Sequence, residues 1–370
     1  MRLFENLLNI PQNHLIEQAI KEGYIPIGYT CSYVPEVMLS IGKLFPVRVR
    51  APGVAGTEIA DTYLSSVICS YARSSLEFFM EGHYDFFGGW VFTASCDHLR
   101  RLYDNMVYLK KHPFMHILDV PHKSGKAGKK WLKEELDIFR NAIADHFGVN
   151  MDDTALGVAI TEYNGLVALL KDIGDMRKCP DPPFTGTEFH HLMLASMIAP
   201  PKAAAVLAKQ FREELANRKN IQKYRARMMV VGGNLDDPTY TSIIESQGGL
   251  VVADRYCTGS IPHLTTISNN RDPLSAITEH TFARTDCPRM MADFDGRIKR
   301  IMDAIRDYHV DGIVLEAIKF CDTWGAESSP LVSTLREAGV PVLRIEREYH
   351  LGGEGQLKTR VQAFIESMGK

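Results

Sequence analysis

Short apolar runs alternate along this chain with segments of helical period, and that alternation restricts the fold more than any other property of the sequence. IPIGYT leads into CSYVPEVMLSIG, PVRVRAP into GTEIADTYLSSVICSYARSSLEFFMEG, and GGWVFTAS into CDHLRRLYDNMVYL, with FMHILDVP closing the series. After residue 222 the pattern resumes with RARMMVVGGN, GGLVVADRYCTGS, RIKRIMDAIRDYHVDGIVLEAIKFC and PLVSTLREAGVPVLRIE, and ends on GGEGQLKTRVQAFIESMG. Strands that alternate with helices build a mostly parallel sheet covered on both faces. Between the two series the sequence is helical, as in KKWLKEELDIFRNAIADHFG and PKAAAVLAKQFREELANRKN, broken by KCPDPPFTG. A chain of 370 residues also exceeds the size at which one core stays efficient. The expectation is an α/β protein of two lobes: an N-terminal α/β lobe over 1–125, a helical connector and cover over 126–222, and a C-terminal α/β lobe over 223–370. Helices are expected after Pro35 and through most of 56–82, the latter enclosing Cys69.

The seven cysteines stand at 31, 69, 96, 179, 257, 287 and 321, an odd set without a CxxC pair. That argues against a disulfide framework and against the closely spaced ligand pairs of zinc ribbons, thioredoxins and ferredoxins. A metal site here must be assembled from distant segments. Cys31, Cys96 and Cys321 end strands, Cys257 lies just past one, Cys287 sits in a Cys-Pro loop and Cys179 in the connector. In open α/β sheets, flavodoxin-like ones included, ligands bind beyond the carboxyl ends of the strands. A free cysteine is often a small buried hydrophobe, yet the neighbours here are polar turn residues: CDHLRR, CTGS, CDTWGAE. Space filling and a shared metal or redox site both remain open, with zinc and an iron-sulfur cluster as the ions that scattered thiolates suit. His98 reads either as a helix-start histidine or as the group completing a zinc set, and Glu36 as a cap or a proton-transferring carboxylate.

Other features exclude partners rather than assign them. A net charge of -3 carries no electrostatic footprint for nucleic acid. The N-terminal segment is amphipathic and acidic, unlike a secretory signal, and the sequence lacks the roughly 18 consecutive apolar residues of a membrane span. A cytoplasmic protein is expected, with no nucleic acid and no membrane as partner. MVVGGNLDDP lacks a nucleotide fingerprint. HKSGKAGKK reads as a solvated loop or a phosphate attractor, and the GGEGQ glycines as turn chemistry or an anion-receiving helix start.

GYTCSYVPEV, ICSYARSSLEFFMEGHYDFFGGWVFTASCDHLRRLYD, VVADRYCTGS, DCPRM and DGIVLEAIKFCDTWGAES together resemble the motif series of the 2-hydroxyacyl-CoA dehydratase and benzoyl-CoA reductase superfamily, over nearly the entire chain. The resemblance implies a [4Fe-4S] cluster held by Cys69, Cys96 and Cys321. It also implies an acyl-CoA substrate, an ATP-hydrolysing iron-sulfur activator that injects a low-potential electron, and a related subunit in a homo- or heterodimer. The activity implied is 2-hydroxyacyl-CoA dehydration (a lyase reaction) or benzoyl-CoA-type ring reduction (an oxidoreductase reaction). A further branch holds a double-cubane [8Fe-9S] cluster through six cysteines and reduces small molecules. Cys31, Cys257 and Cys287 stand where its additional ligands would be, although the CDHLRRLYD flank resembles the single-cubane subunits more. A non-catalytic electron-transfer partner is the remaining alternative. In this reading Glu36 and His98 handle protons, and Asp322 and Trp324 shield or orient the cluster.

Overall fold

The computed structural model describes residues 2–218, 224–260, 264–350 and 352–370. Two four-stranded parallel sheets organise them. The first contains β1 (Ile25–Tyr29), β2 (Leu44–Arg48), β3 (Gly89–Thr93) and β4 (Met115–Leu118) in the order β2-β1-β3-β4. The second contains β5 (Ala226–Gly232), β6 (Gly249–Arg255), β7 (Gly312–Ile318) and β8 (Val342–Arg347) in the order β6-β5-β7-β8. The orders are equivalent: the first strand lies between the second and the third, so each sheet reverses its direction of growth at its first strand. That is the flavodoxin-like arrangement, in which the crevice between first and third strands receives the ligand.

Both sheets are buried on both faces, which is why their strands read as nearly continuous apolar runs. Trp90 and Phe92 of β3 point into one core, with the helices Ser70–Met80 and Asp97–Leu109, while Val91 points into the opposite one, with Lys126–Phe147 and Asp153–Asp175. In β5, Met228 and Val230 pack under Pro238–Ser246 and Glu354–Ser367, and Met229 and Val231 under Phe294–Tyr308 and Asp322–Glu337.

Three local departures from the sequence expectation matter for the site. No long helix follows Pro35: a four-residue 3-10 turn, Glu36–Leu39, leads through Gly42, at φ +64°, straight into β2. The helix expected through 56–82 starts only at Ser70, because the Glu77 carboxylate accepts the backbone N–H groups of Ile59 and Ala60 and holds that segment as a loop. Cys69 therefore stands at the helix entrance rather than inside it. The helix Pro273–Phe282, from the C-terminal stretch, packs against Lys126–Phe147 and joins a core of the first sheet. It carries the following Cys287 loop to the N-terminal side: Tyr33 donates its hydroxyl to the Arg284 carbonyl, and Arg284 donates to the Ser32 carbonyl.

Candidate metal centre

The two reversal points meet at one cavity of about 100 Å³. Cys31 follows β1 and Cys96 follows β3, flanking the reversal of the first sheet. Gly233 and Asn234 follow β5 and Cys321 follows β7, flanking that of the second. Cys69, Cys257 and Cys287 complete a wall that contains six of the seven cysteines; Cys179 is solvent-exposed in the connector.

The six thiols differ in how the backbone presents them. Cys69, Cys96 and Cys321 each occupy the N-cap position of a helix, namely Ser70–Met80, Asp97–Leu109 and Asp322–Glu337. Open N–H groups and the positive end of the helix dipole favour a thiolate at such a position. Cys31, Cys257 and Cys287 lie in turns. Ser95 donates its hydroxyl to the Cys31 sulfur at 3.4 Å, and the Cys257 N–H donates to the Gly233 carbonyl at 2.8 Å.

Burial dominates their acidity. It pushes the Cys69 and Cys287 thiols up to about 12 and also raises Cys96, Cys257 and Cys321. Cys31 is the exception. Burial opposes its ionisation too, but the Arg48 guanidinium and the Ser95 and Thr93 hydroxyls outweigh that and lower its pKa. Beneath the effect of burial, neighbouring thiols oppose one another's ionisation: Cys321 acts on Cys69, Cys96, Cys257 and Cys287, and Cys31 on Cys96, Cys257 and Cys287. Thiols whose pKa is raised in this way would give up their protons to a bound metal, since coordination deprotonates a thiol outright.

The polar atoms of the wall fit such a group. Thr30 Oγ1, Arg48 Nε and Nη1, Asn234 Nδ2 and Trp324 Nε1 are buried without a hydrogen-bond partner among the described residues. A buried donor left unpaired costs about 1–3 kcal/mol, so such atoms point to an acceptor. Among the described residues, no three His, Cys, Asp or Glu side chains converge on a single ion position. Zinc, at about 2.3 Å from each sulfur, would need its thiolates within about 4 Å of one another. Thiols spread over a wall instead suit a group with several metal atoms and bridging sulfurs.

The two residues expected to handle protons lie outside this wall. His98 is buried beside it, where its Nδ1 accepts the Cys69 backbone N–H at 3.1 Å and its Nε2 lies 3.3 Å from Asp322 Oδ1. It thus joins the Cys69 helix entrance to the Cys321 helix entrance across the two lobes. Glu36 accepts the Tyr29 hydroxyl and lines a separate cavity of about 70 Å³ with Tyr163. Tyr29 in turn carries Arg48 over its ring at 5.5 Å. Trp324 does line the thiol cavity, with Cδ1 placed 3.1 Å from where a Gly233 Cβ would stand.

Sequence reasoning missed Arg48, Asn234 and Arg289. Arg289 is buried over the Tyr33 ring at 4.4 Å and donates to the Val120 carbonyl at 2.7 Å. The one signal for Arg48 was charge inside an apolar strand, in PVRVRAP.

The family described as 2-hydroxyglutaryl-CoA dehydratase, D-component, matches residues 31–368. The chain is 23% identical to the (R)-phenyllactyl-CoA dehydratase beta subunit of Clostridium sporogenes, covering 99% of this chain and 97% of that one. It is 23% identical to a benzoyl-CoA reductase subunit of Thauera aromatica, covering 92% and 90%, and 21% identical to the beta subunit of (R)-2-hydroxyglutaryl-CoA dehydratase of Acidaminococcus fermentans, covering 94% and 93%. With a match that runs from the first site cysteine almost to the last residue, the chain belongs to the 2-hydroxyglutaryl-CoA dehydratase, D-component family.

Proposed function

We propose that this chain is the iron-sulfur subunit of a low-potential radical enzyme acting on acyl-CoA thioesters, by 2-hydroxyacyl-CoA dehydration or benzoyl-CoA-type ring reduction. The observation that carries the reading is the convergence of six thiols, from both lobes, on one cavity. The names of the relatives supply the substrate class, and their designation as subunits of larger enzymes supports a related partner subunit. An ATP-dependent iron-sulfur activator is the proposed electron source, and the cytoplasm the proposed location; among the described residues no helix is long and apolar enough to cross a membrane.

The N-cap thiols Cys69, Cys96 and Cys321 are the proposed ligands of a [4Fe-4S] cluster. Such a group, when bound, supplies a single electron at low potential. The protein's own part is to present the sulfurs at helix entrances, to exclude water with Leu99, Ile318 and Trp324 along the wall, and to hold the lobes in register. His98 serves that last purpose, joining the Cys69 amide to Asp322, and Glu36 fixes Tyr29, on which Arg48 packs.

One observation favours a second reading. Cys31, Cys257 and Cys287 line the same cavity from turns, beside the three N-cap thiols. Six ligands in two sets of three suit a double-cubane [8Fe-9S] cluster and, with it, a reductase of small molecules. Iron and sulfide analysis of anaerobically purified protein separates the two: about four irons per chain supports one cubane and about eight supports two. Cys287→Ser should halve the iron content in the second case and leave it unchanged in the first. Protein that binds no iron under these conditions refutes both.

A further inference from the structure

Arg48 is the least satisfied cation of the cavity wall. It is buried at the end of β2, with 3% residual exposure. Nη2 makes a single long hydrogen bond, 3.4 Å, to Asn234 Oδ1, while Nε and Nη1 have no partner among the described residues. It makes no ion pair with a carboxylate among those residues either. By contrast, Arg177 is paired with Asp254 and Arg347 with Glu316. A buried charge without a counter-charge is costly. Arg48 shares the cavity with Cys31 and Cys257, and a cluster held there, with its sulfide and thiolate sulfurs, would bring negative charge to it.

Two further N–H donors share that wall and that condition. Asn234 spends its oxygen on Arg48 and leaves Nδ2 unpaired, and Trp324 leaves Nε1 unpaired where its indole packs on Gly233. The donors come from three segments of the chain: the end of β2, the loop after β5 and the helix Asp322–Glu337.

We propose that Arg48, Asn234 and Trp324 form a donor shelf that hydrogen-bonds the sulfur atoms of the anionic group held by the thiols, and so sets its reduction potential. The inference rests on the iron-sulfur reading above and adds positioning residues to it. Adding an electron makes the group more negative. A guanidinium and two N–H dipoles on the wall of the same cavity would stabilise the reduced form more than the oxidised form, and hydrogen bonds to sulfur are among the determinants of cluster potential. Ligation and potential are thereby separated: the cysteines hold the group, and the shelf decides how readily it accepts an electron.

The test is a dithionite titration of anaerobically purified full-length protein, monitored by electron paramagnetic resonance, with iron content measured on every sample. Arg48→Gln should move the midpoint potential to a more negative value with iron content unchanged, and Arg48→Lys should restore part of the shift. Trp324→Phe, which removes the N–H and keeps an aromatic ring, should shift it in the same direction by less. If Arg48→Gln loses iron, Trp324→Phe decides. Full iron with unshifted potential in Trp324→Phe and in any iron-replete Arg48 variant overturns the proposal. Wild-type protein without iron overturns the iron-sulfur reading instead, so the two failures are distinct.

Discussion

Asp254 offers a test of the architecture that needs no cofactor. It sits at the end of β6, three residues before Cys257, and its Oδ1 accepts from Arg177 Nη1 at 2.6 Å. Both side chains are almost fully buried, at 1% and 2% exposure. Oδ2 accepts the Ser260 N–H and the Ser260 hydroxyl, closing the loop that bears Cys257. Arg177 comes from the turn after the long helix Asp153–Asp175 and lies over the Phe189 ring at 3.8 Å, so the pair joins the helical cover to the second sheet. Asp254→Asn keeps shape and loses the charge, leaving Arg177 buried and uncompensated; breaking a buried pair this way costs about 3–5 kcal/mol.

The expected shift can be worked from chain length. At about 2.1 cal/mol/K per residue, 370 residues give an unfolding entropy of roughly 0.8 kcal/mol/K, so the loss lowers Tm by about 4–6 °C if the chain melts as one unit. Scanning calorimetry of wild type, Asp254→Asn, Arg177→Met and the double variant measures it, and the double variant should be less destabilised than the two single losses combined. The pH dependence has a definite sign. Burial opposes ionisation of Asp254, but Arg177 and Ser260 outweigh it and lower its pKa in the folded chain. The carboxylate's contribution is therefore complete above the ordinary aspartate value of about 3.9 and is lost as pH falls through the lower folded value. Asp254→Asn should flatten that acid limb. A Tm within about 1 °C of wild type, or strictly additive single losses, would refute the reasoning, because neither fits a pair worth several kcal/mol.

Cys96→Ser and Cys321→Ser should lose iron while Cys179→Ser, exposed in the connector, keeps it; full iron in Cys321→Ser would remove that residue from the ligand set. Gly233→Ala places a Cβ 3.1 Å from Trp324 Cδ1 and should destabilise by about 1–3 kcal/mol, as overpacking does, with a shifted tryptophan emission; an unchanged melting curve would mean that the indole yields freely. His98→Ala strands the buried Cys69 N–H at about 1–3 kcal/mol and should speed iron release to a chelator, with His98→Gln recovering part of the loss; equal release rates would show that the bridge to Asp322 does not hold the lobes together.

The parts of this molecule that follow from local pattern were legible in the sequence. Apolar runs marked the strands because both sheets are buried on both faces, and the cysteines at their ends marked the crevices because a parallel strand delivers its last residue there. What escaped depended on contacts between distant segments. Cys69 read as helical since its neighbours have helical period; the Glu77 carboxylate, acting 17 and 18 residues back along the chain, unwinds that stretch. Arg48 read as an ordinary strand residue, and only the approach of Asn234, 186 residues away, shows that its remaining donors stay open. The Cys287 loop reaches the cavity through the helix Pro273–Phe282, whose packing on the first sheet's cover no composition bias announced.

The site is a property of two lobes and of neither alone. Each sheet has the same strand order, so each offers a crevice at its reversal point; opposed, the two crevices close on one cavity. The first supplies Cys31, Cys69, Cys96 and Arg48, and the second Cys257, Cys321, Asn234 and Trp324, with Cys287 brought across. Burial that raises five of the thiols and leaves N–H donors unpaired is unfavourable for the protein by itself. Metal ligation relieves the first cost by taking the thiol protons, and sulfur acceptors relieve the second by meeting the donors. A mononuclear ion would satisfy only the first, and a neutral apolar ligand neither. In the proposed reading a polynuclear, sulfur-containing anion would meet both conditions, and its retention would depend on the docking of the two lobes.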